Sequence, residues 1–158
     1  MVDQPVCACD LMLFGASGDL AQRKLFPALY QLDRAGLLAS DSRVLAIARR
    51  DTDTEALRKA LLARLEEQIP EPEFDATVAQ GFVSRVEYLK LDFTDTDGFL
   101  VLNDWRHPGN QLIVYMATPP SMYGVIARNL RAGGCCTERT RVVVEKPIGH
   151  DLESSKVI

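Results

Sequence analysis

Gly15-Ala16-Ser17-Gly18-Asp19-Leu20-Ala21 sets two glycines and a small residue at three-residue steps. The segment follows an apolar run, Leu11-Met12-Leu13-Phe14, and opens a stretch of helical periodicity, which is the setting in which a glycine turn cradles phosphates. Gly15 would permit the tight turn, Gly18 would let backbone N–H groups approach a pyrophosphate, and Ala21 would let the helix pack closely on the strand. A helix beginning there directs partial positive charge at the phosphates. The spacing is G-x-x-G-x-x-A rather than G-x-G-x-x-G, so the bare pattern also fits a plain glycine turn. Its neighbours favour a nucleotide site.

Ala48-Arg49-Arg50 closes a second apolar run. An NAD-preferring site would put Asp or Glu there against a ribose hydroxyl, whereas a guanidinium suits a 2′-phosphate and therefore NADP. The bland alternative is a solvated arginine pair beside Asp51 and Asp53. Leu91-Asp92 ends a third run and would lie beside the adenine. Ala117-Thr118-Pro119-Pro120, with Tyr123 after it, would lie beside the pyrophosphate and nicotinamide ribose. Outside such a fold, Asp92 is a turn residue and Tyr123 an ordinary helix residue. Lys146 precedes Pro147, which holds it in extended geometry and aims its charge at a substrate hydroxyl or phosphate; an ordinary strand exit would look the same.

Other chemistries find little support. Cys7-Ala8-Cys9 and Cys135-Cys136 do not have the spacing of zinc or thioredoxin-like pairs, so reduced thiols and no metal are expected. No Cys or carboxylate cluster surrounds His107 or His150, and both are expected in surface loops. The 18 basic and 22 acidic residues are dispersed, with a net charge of -4, which argues against nucleic acid or a membrane surface as partner. No run approaches the roughly 18 apolar residues of a membrane span. The first ten residues carry no Lys or Arg, unlike a secretory leader, so a cytoplasmic location is expected.

The elements that would position these residues alternate. Apolar runs at 11–14, 44–48, 86–91, 112–117 and 141–145 read as strands, and 19–35, 54–68, 95–105 and 120–132 as helices, with a short helix around Phe74, Val78 and Phe82 and another starting at 151. Pro27 inside the first helix predicts a kink. Strands apolar throughout and alternating with helices predict an α/β fold: a doubly wound Rossmann-type parallel sheet with helices on both faces, in one compact domain over 1–158. Ligands bind such sheets beyond the carboxyl ends of the strands.

The block from Gly15 through Gln22-Arg23-Lys24-Leu25-Phe26-Pro27-Ala28-Leu29 to Tyr30, together with Ala48-Arg49, Ala117-Thr118-Pro119-Pro120, Tyr123 and Glu145-Lys146-Pro147-Ile148-Gly149, closely resembles the amino-terminal domain of the glucose-6-phosphate dehydrogenase family. The resemblance implies NADP as cofactor and oxidation of D-glucose 6-phosphate to 6-phosphoglucono-δ-lactone, the first step of the oxidative pentose phosphate pathway. It also implies that Gly15, Ala16, Ser17, Gly18, Asp19, Leu20, Ala21 and Gln22 hold the pyrophosphate, with Ser17 as hydroxyl donor. Arg49 would hold the 2′-phosphate, and Lys146 would meet both substrate and nicotinamide. Ile148 stands where the family often has Phe.

The resemblance places the general-base histidine beyond residue 158, so no catalytic residue is expected in this chain. It likewise places the β+α substrate and dimerisation domain outside it, and implies a homo-oligomer for the full-length protein. Short-chain reductases share a similar glycine turn but need Tyr-x-x-x-Lys, which none of Tyr30, Tyr88, Tyr115 or Tyr123 supplies. A non-catalytic NADP-binding sensor or regulatory module is the remaining alternative.

Overall fold

The structure, a computed structural model, describes residues 6–146. Pro147, Ile148, Gly149, His150 and the helix expected from 151 lie outside the described residues.

Strands β1 (Cys9–Phe14), β2 (Arg43–Ala48), β3 (Val86–Lys90), β4 (Gln111–Met116) and β5 (Thr140–Val144) form one five-stranded sheet. Every pairing is parallel and the order is β3-β2-β1-β4-β5. The chain moves outwards from β1 to β3, then restarts on the other side of β1 with β4, so the strand order reverses between β1 and β4. Phe14 pairs with both Ile47 and Met116, which makes the three central strands finish level.

Side chains alternate across β1. Leu11 and Leu13 enter one core with α1 (Phe26–Arg34), α2 (Thr54–Gln68) and α3 (Ala76–Ser84), while Met12 and Phe14 enter a second core with α4 (Leu100–Trp105) and α5 (Tyr123–Ala132). The doubly wound α/β arrangement expected from the alternation of elements is therefore present. Local signals explain the helix limits. Asp53 caps α2 by accepting from Ala56 N at 2.8 Å, Asp75 caps α3 through Thr77 N and Val78 N, and Leu57, Leu61 and Leu65 form the buried stripe of α2.

Three expectations need correction. The helix that contains Pro27 is not α-helical throughout: a π-helical turn over Ala21–Leu25, closed by Phe26 N–H donating to Ala21 O, hands over to α1, and Pro27 falls in the first turn of α1. Pro27 has no N–H to place in the i to i−4 ladder, and the wider i to i−5 closure of the preceding turn lets the chain remain helical across the junction. The helix expected over 95–105 begins later, as a 3₁₀ turn over Asp97–Phe99 followed by α4. The strands are not all covered on both faces. β4 buries Leu112, Val114 and Met116 but leaves Ile113 and Tyr115 half-covered, and on the edge strand β5 Val142 is 53% exposed. Apolar composition does not distinguish a central strand from an edge.

The amino edge of the sheet is tied by a residue the sequence reading passed over. Asp10, 1% exposed, accepts from Arg43 Nε at 3.1 Å and Nη2 at 2.7 Å, from Asn110 Nδ2 at 3.0 Å, and from His107 N–H. Arg43 also donates to Trp105 O and lies 4.4 Å above the Trp105 ring. The Asp10–Arg43 pair thus joins β1, β2, α4 and the turn before β4. Asp10→Asn leaves Arg43 without its counter-ion and should destabilise the fold by about 3 kcal/mol. Urea unfolding measures this; an unchanged midpoint would remove Asp10 from the account of stability.

Candidate functional site

The ends of β1, β2 and β4 enclose a crevice of about 330 Å³ at the point of strand reversal. Its shape begins with Gly15. The φ of +83° there lies in the left-handed region, and a Cβ at that position would stand 2.3 Å from Ala117 O. Only glycine permits both. Gly15 N and Ala16 N donate to Ile47 O, and Ala117 N donates to Phe14 O, so the turn is bonded to the exits of β2 and β4 alike.

Gly18 serves a different purpose. Its N–H donates to Gly15 O and its carbonyl accepts from Gln22 N, yet a Cβ there would meet nothing closer than Gly15 O at 3.1 Å. The protein itself nearly tolerates a side chain, and the space it would fill faces the crevice that Gly18 lines. Among the described residues, the amides of Ser17, Asp19 and Leu20 donate to no protein acceptor, as expected of a helix start. Gln22 Nε2 braces the turn by donating to Ala16 O at 2.6 Å. Ala16 and Ala21 are buried beneath it, and Asp19 pairs with Arg23 at 2.7 Å on the exposed side.

The opposite wall adds Thr118, whose buried Oγ1 has no hydrogen-bond partner. An orphaned hydroxyl in a crevice with free amides is a site fitted to a polar ligand. Arg49 and Arg50 complete the rim at the exit of β2, and among the described residues neither guanidinium has a hydrogen bond or ion pair. Hydrogen bonds from Thr94 N–H and Thr94 Oγ1 hold the Asp92 carboxyl below the usual carboxylate range, with a smaller contribution from the Arg49 charge.

Gly15, Ser17, Gly18, Arg49 and Ala117 are thus brought together at the crevice, while Ala16, Asp19 and Gln22 line a neighbouring groove that shares Ser17 and Gly18. Leu20 is exposed at the helix start. Leu91 and Tyr123 are buried in the second core, where they lie under the loops rather than in them. Tyr123 Oη donates to Glu145 O at 3.2 Å, and Tyr115 Oη donates to the Glu145 carboxylate. Burial, reinforced by Glu145, pushes the Tyr115 phenol up to about 12, so it remains a donor. Two tyrosines therefore clamp the residue before Lys146, which is exposed at the end of β5. The tyrosine clamp escaped the sequence reading because nothing local marks it, and Thr118 was placed with its proline motif beside the pyrophosphate without its orphaned hydroxyl being foreseen.

A reversed parallel sheet with a glycine turn, free helix-start amides and cationic strand exits defines a Rossmann-type dinucleotide-binding domain. Comparison with known proteins gives it a family. A family model described as the NAD binding domain of glucose-6-phosphate dehydrogenase matches residues 12–158. The chain is 41% identical over 152 residues to glucose-6-phosphate 1-dehydrogenase of Dickeya dadantii and 38% identical over 160 residues to that of Mycolicibacterium smegmatis. These matches cover 96% and 98% of this chain but 31% and 32% of the relatives, so the chain spans about a third of their length. The crystal structure of glucose-6-phosphate 1-dehydrogenase from Mycobacterium avium superimposes with a TM-score of 0.84 at 32% identity, covering 96% of this chain and 32% of the other. A glucose-6-phosphate dehydrogenase in complex with glucose 6-phosphate gives 0.83 at 31% identity, covering 99% and 34%. The chain belongs to the glucose-6-phosphate dehydrogenase NAD-binding domain family.

The two glycines should separate in their consequences. Gly15→Ala meets both an unfavourable φ and Ala117 O, and should destabilise the fold by about 2 kcal/mol or more. Gly18→Val should retain a cooperative melt and lose affinity for NADPH and NADH together if the crevice holds the pyrophosphate, because its side chain would enter that space. Paired thermal melts and fluorescence titrations decide the matter; a Gly18→Val protein with wild-type affinity would show that the turn does not hold the pyrophosphate.

Proposed function

We propose that this chain is the NADP-binding part of an enzyme that oxidises D-glucose 6-phosphate at C1 to 6-phosphoglucono-δ-lactone. The observation that carries the reading is Arg49: it follows β2, lines the crevice, and makes no hydrogen bond or ion pair among the described residues, where an NAD site would use a carboxylate. The amides of Ser17, Asp19 and Leu20 are the pyrophosphate donors, supported by their freedom from other acceptors and by the bracing of the turn through Gln22. NADP, when bound, supplies the hydride acceptor. Thr118 and Ala117 bound the side of the crevice towards β4 and would meet the middle of the dinucleotide.

Lys146 has a positioning and electrostatic role in this reading. Glu145, held by Tyr115 and Tyr123, fixes the backbone from which the lysine reaches the sugar phosphate beside the nicotinamide. A proton acceptor for the C1 hydroxyl is a separate requirement. His107, the histidine among the described residues, donates its N–H to Asp10 at the amino edge of the sheet, the edge opposite the crevice. The base and most of the substrate contacts, and with them any homo-oligomer, belong in this reading to the remainder of a protein of the relatives' length, working in the cytoplasm.

Arg49→Ala should weaken NADPH by about tenfold to a hundredfold, as expected for losing a charge-assisted contact, and change NADH less than about twofold. Equal losses would reject Arg49 as the 2′-phosphate partner. The 158-residue chain mixed with NADP and glucose 6-phosphate should show no growth of NADPH absorbance, because general-base catalysis and substrate orientation are each worth orders of magnitude. Turnover by the chain alone would place the base within it.

A further inference from the structure

On the far side of the Ser17–Gly18 turn lies a second cavity, a groove of about 310 Å³ between the start of the first helix and α2. Ser17, Gly18 and Arg50 line this groove and the crevice alike, so the two spaces adjoin across the turn. Three arginines line it: Arg23, Arg50 and Arg64. Among its described lining residues the only carboxylate is Asp19, already bonded to Arg23.

Arg64 is the unusual member. It is half-buried on α2, yet among the described residues its guanidinium has no hydrogen bond or ion pair. The comparably covered arginines are all satisfied. Arg43 binds Asp10 and Trp105 O, Arg58 binds Glu55, Val86 O and Ser84 O, and Arg85 binds Asp33 and the carbonyls of Ala39 and Ser42. A partly desolvated guanidinium without an acceptor is unfavourable unless a ligand supplies one. Arg50 is likewise unpaired through its side chain, while its backbone is held: Tyr88 Oη donates to Arg50 O at 2.6 Å and to Ala48 O at 3.3 Å. Tyr88 thereby fixes the exit of β2, and with it the direction in which Arg50 leaves the sheet. Asp51, the nearest acidic neighbour, is drawn away to Lys90 at 3.2 Å.

We propose that this groove is a second phosphate subsite, in which Arg64 and Arg50 hold a phosphate dianion beside the Ser17–Gly18 turn. Planar guanidinium groups with free N–H donors bind phosphate oxygens bidentately, and two of them balance the charge of a dianion. The phosphate has two possible sources. It is the 2′-phosphate of a dinucleotide seated in the crevice and reaching past Arg50, in which case the inference rests on the cofactor reading above, or it is a free phosphate that occupies the groove independently.

The experiment compares the wild-type chain with Arg64→Gln, Arg64→Lys, Arg50→Gln and Arg49→Ala, each checked for a native circular-dichroism melt, and titrates NADPH, NADH and inorganic phosphate. If the 2′-phosphate is the ligand, Arg64→Gln weakens NADPH about fivefold or more, leaves NADH within twofold, and Arg64→Lys recovers part of the loss. If the ligand is free, inorganic phosphate binds the wild type, its binding is lost in Arg64→Gln, and both dinucleotides are unaffected. Should Arg64→Gln fail to fold, Arg64→Lys and Arg50→Gln carry the same comparison. Unchanged affinity for all three ligands in folded Arg64 and Arg50 variants overturns the proposal. A selective NADPH loss in Arg49→Ala with no effect at Arg64 or Arg50 overturns the groove and leaves the cofactor reading standing. A wild type that binds phosphate but neither dinucleotide does the reverse.

Discussion

Gly15 lies against the carbonyl of Ala117 more closely than any side chain would allow, and the site depends on that contact. β1 and β4 are neighbours in space but distant in sequence, and their exits must come together where the strand order reverses. Bonds from Gly15 N to Ile47 O and from Ala117 N to Phe14 O fix the turn to the strands on each side. The helix that follows can then begin only at the mouth of the crevice, with its first amides free. Each later element adds to this one junction: β2 brings its arginines to the rim, and β4 brings Thr118 to the wall.

Charge is distributed by the same logic. At the amino edge Arg43 is saturated by Asp10, and between the helices and the sheet Arg85 and Arg58 are satisfied by a carboxylate and backbone carbonyls. These arginines are structural, and removing a partner strands a partly buried charge. At the carboxyl edge Arg49, Arg50 and Arg64 have no such partner among the described residues. A net acidic chain therefore presents an electropositive mouth without a block of basic sequence, because pairing and not composition decides which guanidinium groups face solvent unneutralised.

Most of the fold was legible in the residues, since period and punctuation both spoke for it. Leu57, Leu61 and Leu65 set the helical period between Asp53 and Pro70, and Leu11-Met12-Leu13-Phe14 ended at a glycine. What was less legible depended on context. Val142 and Val143 have the composition of a covered strand and lie at an edge, because neighbours and not residue type determine cover. Pro27 marked a disturbance of its helix, but the form it takes, a widened turn just before the proline, was not readable from the residue. In the site, Gly15, Gly18 and Arg49 were readable because a turn and a strand exit have local signatures. Asp10, Arg64 and the joint hold of Tyr115 and Tyr123 on Glu145 were not, because their meaning arises from surroundings remote in sequence.

The widened turn at Ala21–Leu25 has a consequence for how this segment can vary. One residue more or fewer in a helix rotates everything on one side of the change by roughly 100° relative to the other. Between Gly18 and Pro27 that rotation is already taken up, so that Gln22 faces the turn it braces while Phe26 and Tyr30 face the core. The segment therefore acts as a phase adjuster between a crevice-facing start and a core-facing remainder. Substitutions that keep its length leave the two faces in register, whereas a single insertion or deletion there would turn either the brace or the core contacts to solvent, a constraint on length that no single side chain reveals.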